Sequence, residues 1–126
     1  MSNKTAVSVV VPVYNQELFI GRCLRSLLDQ TLDKESYEIV VVNDCSKDNT
    51  LPILEKFKNK IKLINNKKNM GLPYSLNRGI KSAQGRFIVR VDSDDYVNRE
   101  FLNFLQMYLL YNPKMDSVCC DYYLVD

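Results

Sequence analysis

The sequence predicts a three-layer α/β/α fold on a mostly parallel sheet, and three observations carry that expectation. Short β-branched runs alternate with segments of helical apolar period, the strands are continuously apolar rather than alternating, and polar, acid-rich turns follow several of them. With 126 residues, 46% hydrophobic and 25% charged, residues 1–126 fit one globular domain with a real core and leave no room for a second.

Val7 to Tyr14 and Tyr37 to Val42 read as buried strands, each closed by turn-forming polar residues. Ile61 to Ile64, Arg86 to Val91 and Ser117 to Val125 are the next three, although Cys119, Cys120 and Asp121 blur the alternation of the last. Between them run helical patterns: Phe19, Ile20, Cys23, Leu24, Leu27 and Leu28, then Leu51, Leu54 and Phe57. Leu72, Leu76, Ile80 and Ala83 form a third helix, and Phe101, Leu105, Tyr108 and Leu109 a fourth. Asp48 is positioned to cap the second helix, with Pro52 in its first turn; Asn98 is positioned to cap the fourth, and Asn112-Pro113 to stop it.

Ligands of open α/β sheets bind beyond the carboxyl ends of the strands, where strand order reverses. Three polar segments should meet there: Pro12 to Glu17, Asn43 to Thr50, and Asp92-Ser93-Asp94-Asp95. The last places three carboxylates in four residues. Each ionised pair at roughly 4 Å repels by about 4 kcal/mol at an effective dielectric near 20. A hard cation such as Mg²⁺ or Mn²⁺ relieves that repulsion and commonly shares its carboxylates with substrate phosphates. Asp44 directly follows a strand, where its carboxylate can accept from a nucleobase imide.

The remaining features narrow the function. Seventeen Lys and Arg against fifteen Asp and Glu give +2, too balanced to indicate nucleic acid or an anionic membrane. Four cysteines lack paired CxxC spacing and there is no histidine, so a zinc site is excluded and any acid or base work falls to Asp, Glu, Lys or Tyr. Met1 to Thr5 and the apolar run after them have neither signal-peptide shape nor the length of a span, which with structural thiols points to the cytoplasm. The lysines from Lys56 to Lys68 read as a solvated face around a short edge strand, with contact to a diphosphate or anionic lipid as the alternative. Tyr108 and Tyr111 read as packing residues. Gly71, Gly79 and Gly85 form no GxGxxG.

Four motifs in order, VSVVVPVYNQE, VVNDCSKDNT, NMGLPYSLNRGI and GRFIVRVDSDDY, resemble the inverting family-2 glycosyltransferases over nearly the whole chain. The resemblance implies a GT-A fold and a nucleotide-diphosphate sugar donor held with Mn²⁺ or Mg²⁺. It implies transfer to a hydroxyl of a saccharide or lipid-linked saccharide, with any peripheral membrane contact carried by regions outside this chain. By the same resemblance, Pro12, Tyr14 and Glu17 line the nucleotide pocket and Asp44 contacts the base. Asn69, Gly71 and Asn77 shape the diphosphate and ribose surroundings. Asp92 and Ser93 belong to the donor site, and Asp94 or Asp95 is the metal ligand.

Asn43, Leu76 and Arg86 depart from the family pattern, standing where an acid, an arginine and an acid are common. The acceptor base of an inverting transfer lies, in the family, after the acidic cluster and beyond Asp126. Asp116, Asp121 and Asp126 are the carboxylates left, and none sits in that motif. The chain is therefore expected to be the donor-binding portion of an enzyme, with a nucleotide-binding module lacking turnover as the competing reading. A receiver-like phosphoacceptor domain fails on placement, because strand one ends in Tyr14-Asn15 and strand three in Asn65-Asn66.

Overall fold

A computed structural model describes residues 4–125; Met1, Ser2, Asn3 and the candidate base Asp126 lie outside the described residues. The elements are β1 (Val7–Val13), α1 (Ile20–Leu28), β2 (Tyr37–Asn43), α2 (Thr50–Glu55), β3 (Lys62–Asn65), α3 (Leu72–Ser82), β4 (Phe87–Arg90) and α4 (Phe101–Tyr111). The strands pair in the order β3-β2-β1-β4, and every pairing among the described residues is parallel. The order reverses between β1 and β4, which places the crevice of the sheet at their carboxyl ends.

β1 is buried along its full length, as a central strand covered on both faces must be. Val7, Val9, Val11 and Val13 join Ile20, Leu24 and Leu27 of α1, Leu54 of α2 and Leu102 of α4 in the main core. The opposite face carries α3, packed on β1 and β2. There Gly79 is essential to the fit, since a β-carbon at that position would lie 2.5 Å from Val10 Cγ1 and 3.2 Å from Val42 Cγ2. Pro12 is tolerated inside this central strand because the β4 ladder stops at the Val10–Arg90 pair, so the donor it lacks has no partner to lose.

The expected fifth strand is absent: Ser117 to Val125 has no ladder partner, and Tyr123 is 94% exposed. Its aromatic and β-branched residues favour extension, but β4 pairs with β1 alone and its far edge has no neighbour among the described residues. The second helix is shorter than its apolar spacing suggests; Phe57 falls in the turn after α2 but still packs against the core. Asp48 does not occupy the capping position, which is Asn49; its Oδ1 instead accepts from the Thr50 amide two residues on. Asn98 anchors the turn into α4, accepting from the Glu100 amide, and Asn112 closes the helix through the Tyr108 carbonyl. No described helix is long and apolar enough to cross a membrane.

Candidate donor-binding site

The loop after β1 and the loop after β2 are clamped together by reciprocal hydrogen bonds. Asn15 donates its amide to Ser46 Oγ at 3.0 Å and accepts from the Lys47 amide through Oδ1 at 2.8 Å. Glu17 repeats the pattern, its amide donating to Asp48 Oδ2 and its carboxylate accepting from the Asn49 amide, while the Gln16 amide donates to Thr50 Oγ1. Burial raises the Asp48 carboxyl, but hydrogen bonds from Thr50 and Glu17 outweigh it, so its pKa lies below the ordinary value. Asn15 and Cys45, where the two strands end, adopt φ values of 50° and 61°, the left-handed turns that bring the loops together. Tyr14 is left exposed at the mouth of this clamp.

Asp44 organises the loop after β3. It is 4% exposed; Oδ1 accepts from Asn66 Nδ2 at 2.7 Å and the Met70 amide at 2.8 Å, and Oδ2 accepts from the Gly71 amide at 2.9 Å. Burial pushes its carboxyl upward, and the donors from Asn66, Met70, Gly71 and Ser75 more than reverse that, leaving the pKa below its ordinary value. Asn69 Oδ1 also accepts from the Gly71 amide, and Gly71 takes φ 88°, a conformation that favours glycine, as the chain enters α3. Asn77 is exposed on α3. Asn43, the departure from two acids, is buried and spends its amide on Asn65 Oδ1 and its carbonyl on the Ser46 amide.

Across the crevice, the acidic cluster turns immediately after β4. Arg90 Nε pairs with Asp92 Oδ1 at 2.8 Å, and the Asp92 carbonyl accepts from the Asp95 amide and from Cys23 Sγ. Ser93 is buried, whereas Asp94 and Asp95 are exposed, and neither of their carboxylates has a hydrogen-bond or ion-pair partner among the described residues. Desolvation, then Asp94 and Asp92, raise the Asp95 pKa against the opposing influence of Arg22. The same three aspartates, added to burial, push the Cys23 thiol up to about 12, so it stays protonated as a donor. Among the described residues no group of three or more His, Cys, Asp and Glu side chains is placed to hold a metal ion.

The structure thus brings Tyr14, Glu17, Asp44 and the Asp92–Asp95 turn to one edge of the sheet, while Pro12 is buried within β1. Asp116 goes elsewhere: it lines a groove with Val7 and Phe87, at the amino ends of β1 and β4. Sequence reasoning missed Arg22, Asn66 and Ser75. Asn65-Asn66 was visible as a polar pair closing β3, and that was the available signal for Asn66.

A parallel α/β sheet with an acidic crevice at its topological switch point is a ligand-binding α/β arrangement, and its likeness to solved glycosyltransferases makes it a fold of the GT-A type. The chain belongs to glycosyl transferase family 2, whose profile matches residues 8–125. It is 47% identical over 98 residues to the poly(ribitol-phosphate) β-N-acetylglucosaminyltransferase TarS of Staphylococcus aureus, a match covering 75% of this chain and 17% of that protein. The crystal structure of S. aureus TarS 1–349 with UDP-GlcNAc superposes with a TM-score of 0.80 at 42% identity, covering 85% of this chain and 32% of that one. A mannosyltransferase from Pyrobaculum calidifontis, in complex with GDP-Man and Mn²⁺, follows at TM-score 0.77 and 26% identity, covering 82% of this chain and 32% of that one.

Proposed function

We propose that this chain is the donor-binding portion of an inverting glycosyltransferase that uses a nucleotide-diphosphate sugar and acts at the cytoplasmic side of the cell. The observation that carries the reading is the pair of unpartnered carboxylates, Asp94 and Asp95, facing solvent at the switch point opposite the clamped β1 and β2 loops. Two exposed acids suit Mn²⁺ or Mg²⁺, which complete their shells with water and substrate phosphate. Asp94 or Asp95 would hold the ion, and the bound ion would supply Lewis-acid stabilisation to the departing diphosphate.

The chain's own residues then divide the donor between them. Asp44 is the residue assigned to the base; by holding the Met70 and Gly71 amides it shapes the loop against which the base would lie. Tyr14 offers a ring for the base, with Pro12 and Glu17 shaping the loop behind it. Asn69, Gly71 and Asn77 border the ribose and diphosphate, and Asp92 and Ser93 meet sugar hydroxyls. The acceptor is a hydroxyl of a saccharide, a lipid-linked saccharide or, as for the staphylococcal relative, a polyol-phosphate polymer. Asp116 sits at the wrong edge of the sheet to act as the base, which favours donor binding without transfer by the chain on its own.

Thermal unfolding with UDP, GDP and TDP and their sugars, with and without Mn²⁺, tests this. A ligand at about 100 times its dissociation constant stabilises the fold by roughly 2.7 kcal/mol. A folded chain whose melting no nucleotide alters would overturn the assignment.

A further inference from the structure

Asp44 is a buried carboxylate that forms no ion pair among the described residues. A charge so placed has to be balanced by oriented donors. Two of them are the Met70 and Gly71 amides, and the third is Asn66 Nδ2, 2.7 Å from Asp44 Oδ1. Asn66 is itself buried and its amide is engaged at both ends: Nδ2 also donates to Ser75 Oγ at 3.0 Å, and Oδ1 accepts from Arg78 Nη1 at 2.6 Å. The same Nη1 donates to the Asn65 carbonyl at 2.9 Å, so the guanidinium on α3 is tied to the last residue of β3.

A side-chain amide has two orientations of nearly the same shape, with its donor and acceptor ends exchanged. Here a carboxylate, which only accepts, faces one end, and a guanidinium, which only donates, faces the other, so one orientation alone satisfies both. The Arg78 charge thus reaches Asp44 across a single amide, and the two charge-assisted bonds reinforce each other. A direct Arg–Asp pair would compete for the carboxylate oxygens that hold Met70 and Gly71; the intervening amide leaves both held. We infer that Arg78 is a positioning residue of the donor site: through Asn66 it fixes the Asp44 carboxylate, and with it the Met70–Gly71 turn against which the nucleotide base lies. The inference rests on the donor-binding reading above.

A double-mutant cycle on nucleotide affinity, measured with the full chain by calorimetric titration of UDP and of GDP in the presence of Mn²⁺, is the test. For whichever nucleotide the wild type binds more tightly, Arg78→Ala and Asn66→Ala should each weaken binding on the order of tenfold, and the double variant should be no weaker than Asn66→Ala alone. Arg78→Lys should recover much of the affinity, because both hydrogen bonds come from one nitrogen, which an ammonium can replace. In the ligand-free chain, the Asn66 side-chain amide protons should exchange slowly in the wild type and in Arg78→Lys, and faster in Arg78→Ala. Melting curves check folding; if Arg78→Ala fails to fold, Arg78→Met, which keeps the aliphatic stem, takes its place. Equal affinities in wild type and Arg78→Ala, or unchanged Asn66 exchange, would refute the relay. So would a further loss in the double variant, which would mean that Arg78, lining the cavity beside Met70 and Tyr74, touches the nucleotide itself. A wild type that binds neither nucleotide would defeat the donor reading and the positioning role with it, whereas the other refutations leave donor binding intact.

Discussion

Arg22 and Asp94, separated by 72 residues, are joined by one hydrogen bond from the guanidinium Nη2 to the Asp94 carbonyl at 3.2 Å. The same guanidinium lies 4.5 Å from the Tyr96 ring centroid and 5.6 Å from that of Phe19. α1 therefore holds the acidic turn by its backbone and leaves the Asp94 and Asp95 carboxylates free. Arg90 occupies Asp92, so the two cations near the cluster are committed to shaping it.

Replacing Arg22 should consequently disturb the site more than the fold. Arg22→Ala loses two exposed cation–π contacts and one hydrogen bond, about 1–2 kcal/mol of stability. Metal-dependent donor affinity should fall severalfold as the turn loosens, with Arg22→Lys recovering part of it by retaining charge without the planar fork. Calorimetric titration with UDP and Mn²⁺ would check this; equal affinities in all three proteins would exclude a positioning role.

Asp94→Asn and Asp95→Asn act in the opposite sense on stability and binding. Each removes one like charge from a cluster whose neighbours already raise the Asp95 pKa, so the ligand-free melting temperature should hold or rise slightly. The Mn²⁺-dependent gain from UDP should disappear in at least one of them. If both variants keep the full gain, the ion binds elsewhere.

The unequal legibility of the chain has a physical basis. β1 and β2 were readable because a strand buried on both faces is a continuous apolar run, whatever surrounds it. Ser117 to Val125 carries similar residues, yet strand formation needs a partner edge, which no local pattern reports. In the site, the acids after β4 were evident from charge density alone. Asp44 was seen as a ligand contact, but its occupation by Asn66, Met70 and Gly71 depends on residues 22 to 27 positions later, joined by the crossover to β3. Arg22 sits in a helix whose apolar stripe explains Cys23 and Leu24 and says nothing of its exposed face.

Gly79→Ala probes the α3 face. The added methyl would meet Val10 Cγ1 at 2.5 Å, and both valine and helix are held by β1 and β2, so overpacking should cost about 1–3 kcal/mol. Combining it with Val10→Ala should recover part of that loss relative to the sum of the single changes. Urea unfolding of the four proteins measures the coupling; strict additivity would mean the helix shifts freely away from the sheet.

Asp44 links the loop after β3 to pH. Burial raises its carboxyl, but its four hydrogen-bonding partners lower the folded-state pKa below the ordinary 3.8. An unfolded chain therefore takes up the proton first as pH falls. The stabilisation is complete above the unfolded value, declines as pH falls below it, and is lost through the folded pKa. Asp44→Asn places an amide against the amide donors of Met70 or Gly71, and each buried donor left unsatisfied costs about 1–3 kcal/mol at neutral pH. Because the variant cannot titrate there, its deficit should narrow as the pH is lowered from about 5 to about 2, where the wild type loses the same interactions. Urea unfolding across that range gives the comparison, and a deficit that stays constant down to the lowest pH would show that the Asp44 carboxylate does not carry this acid sensitivity.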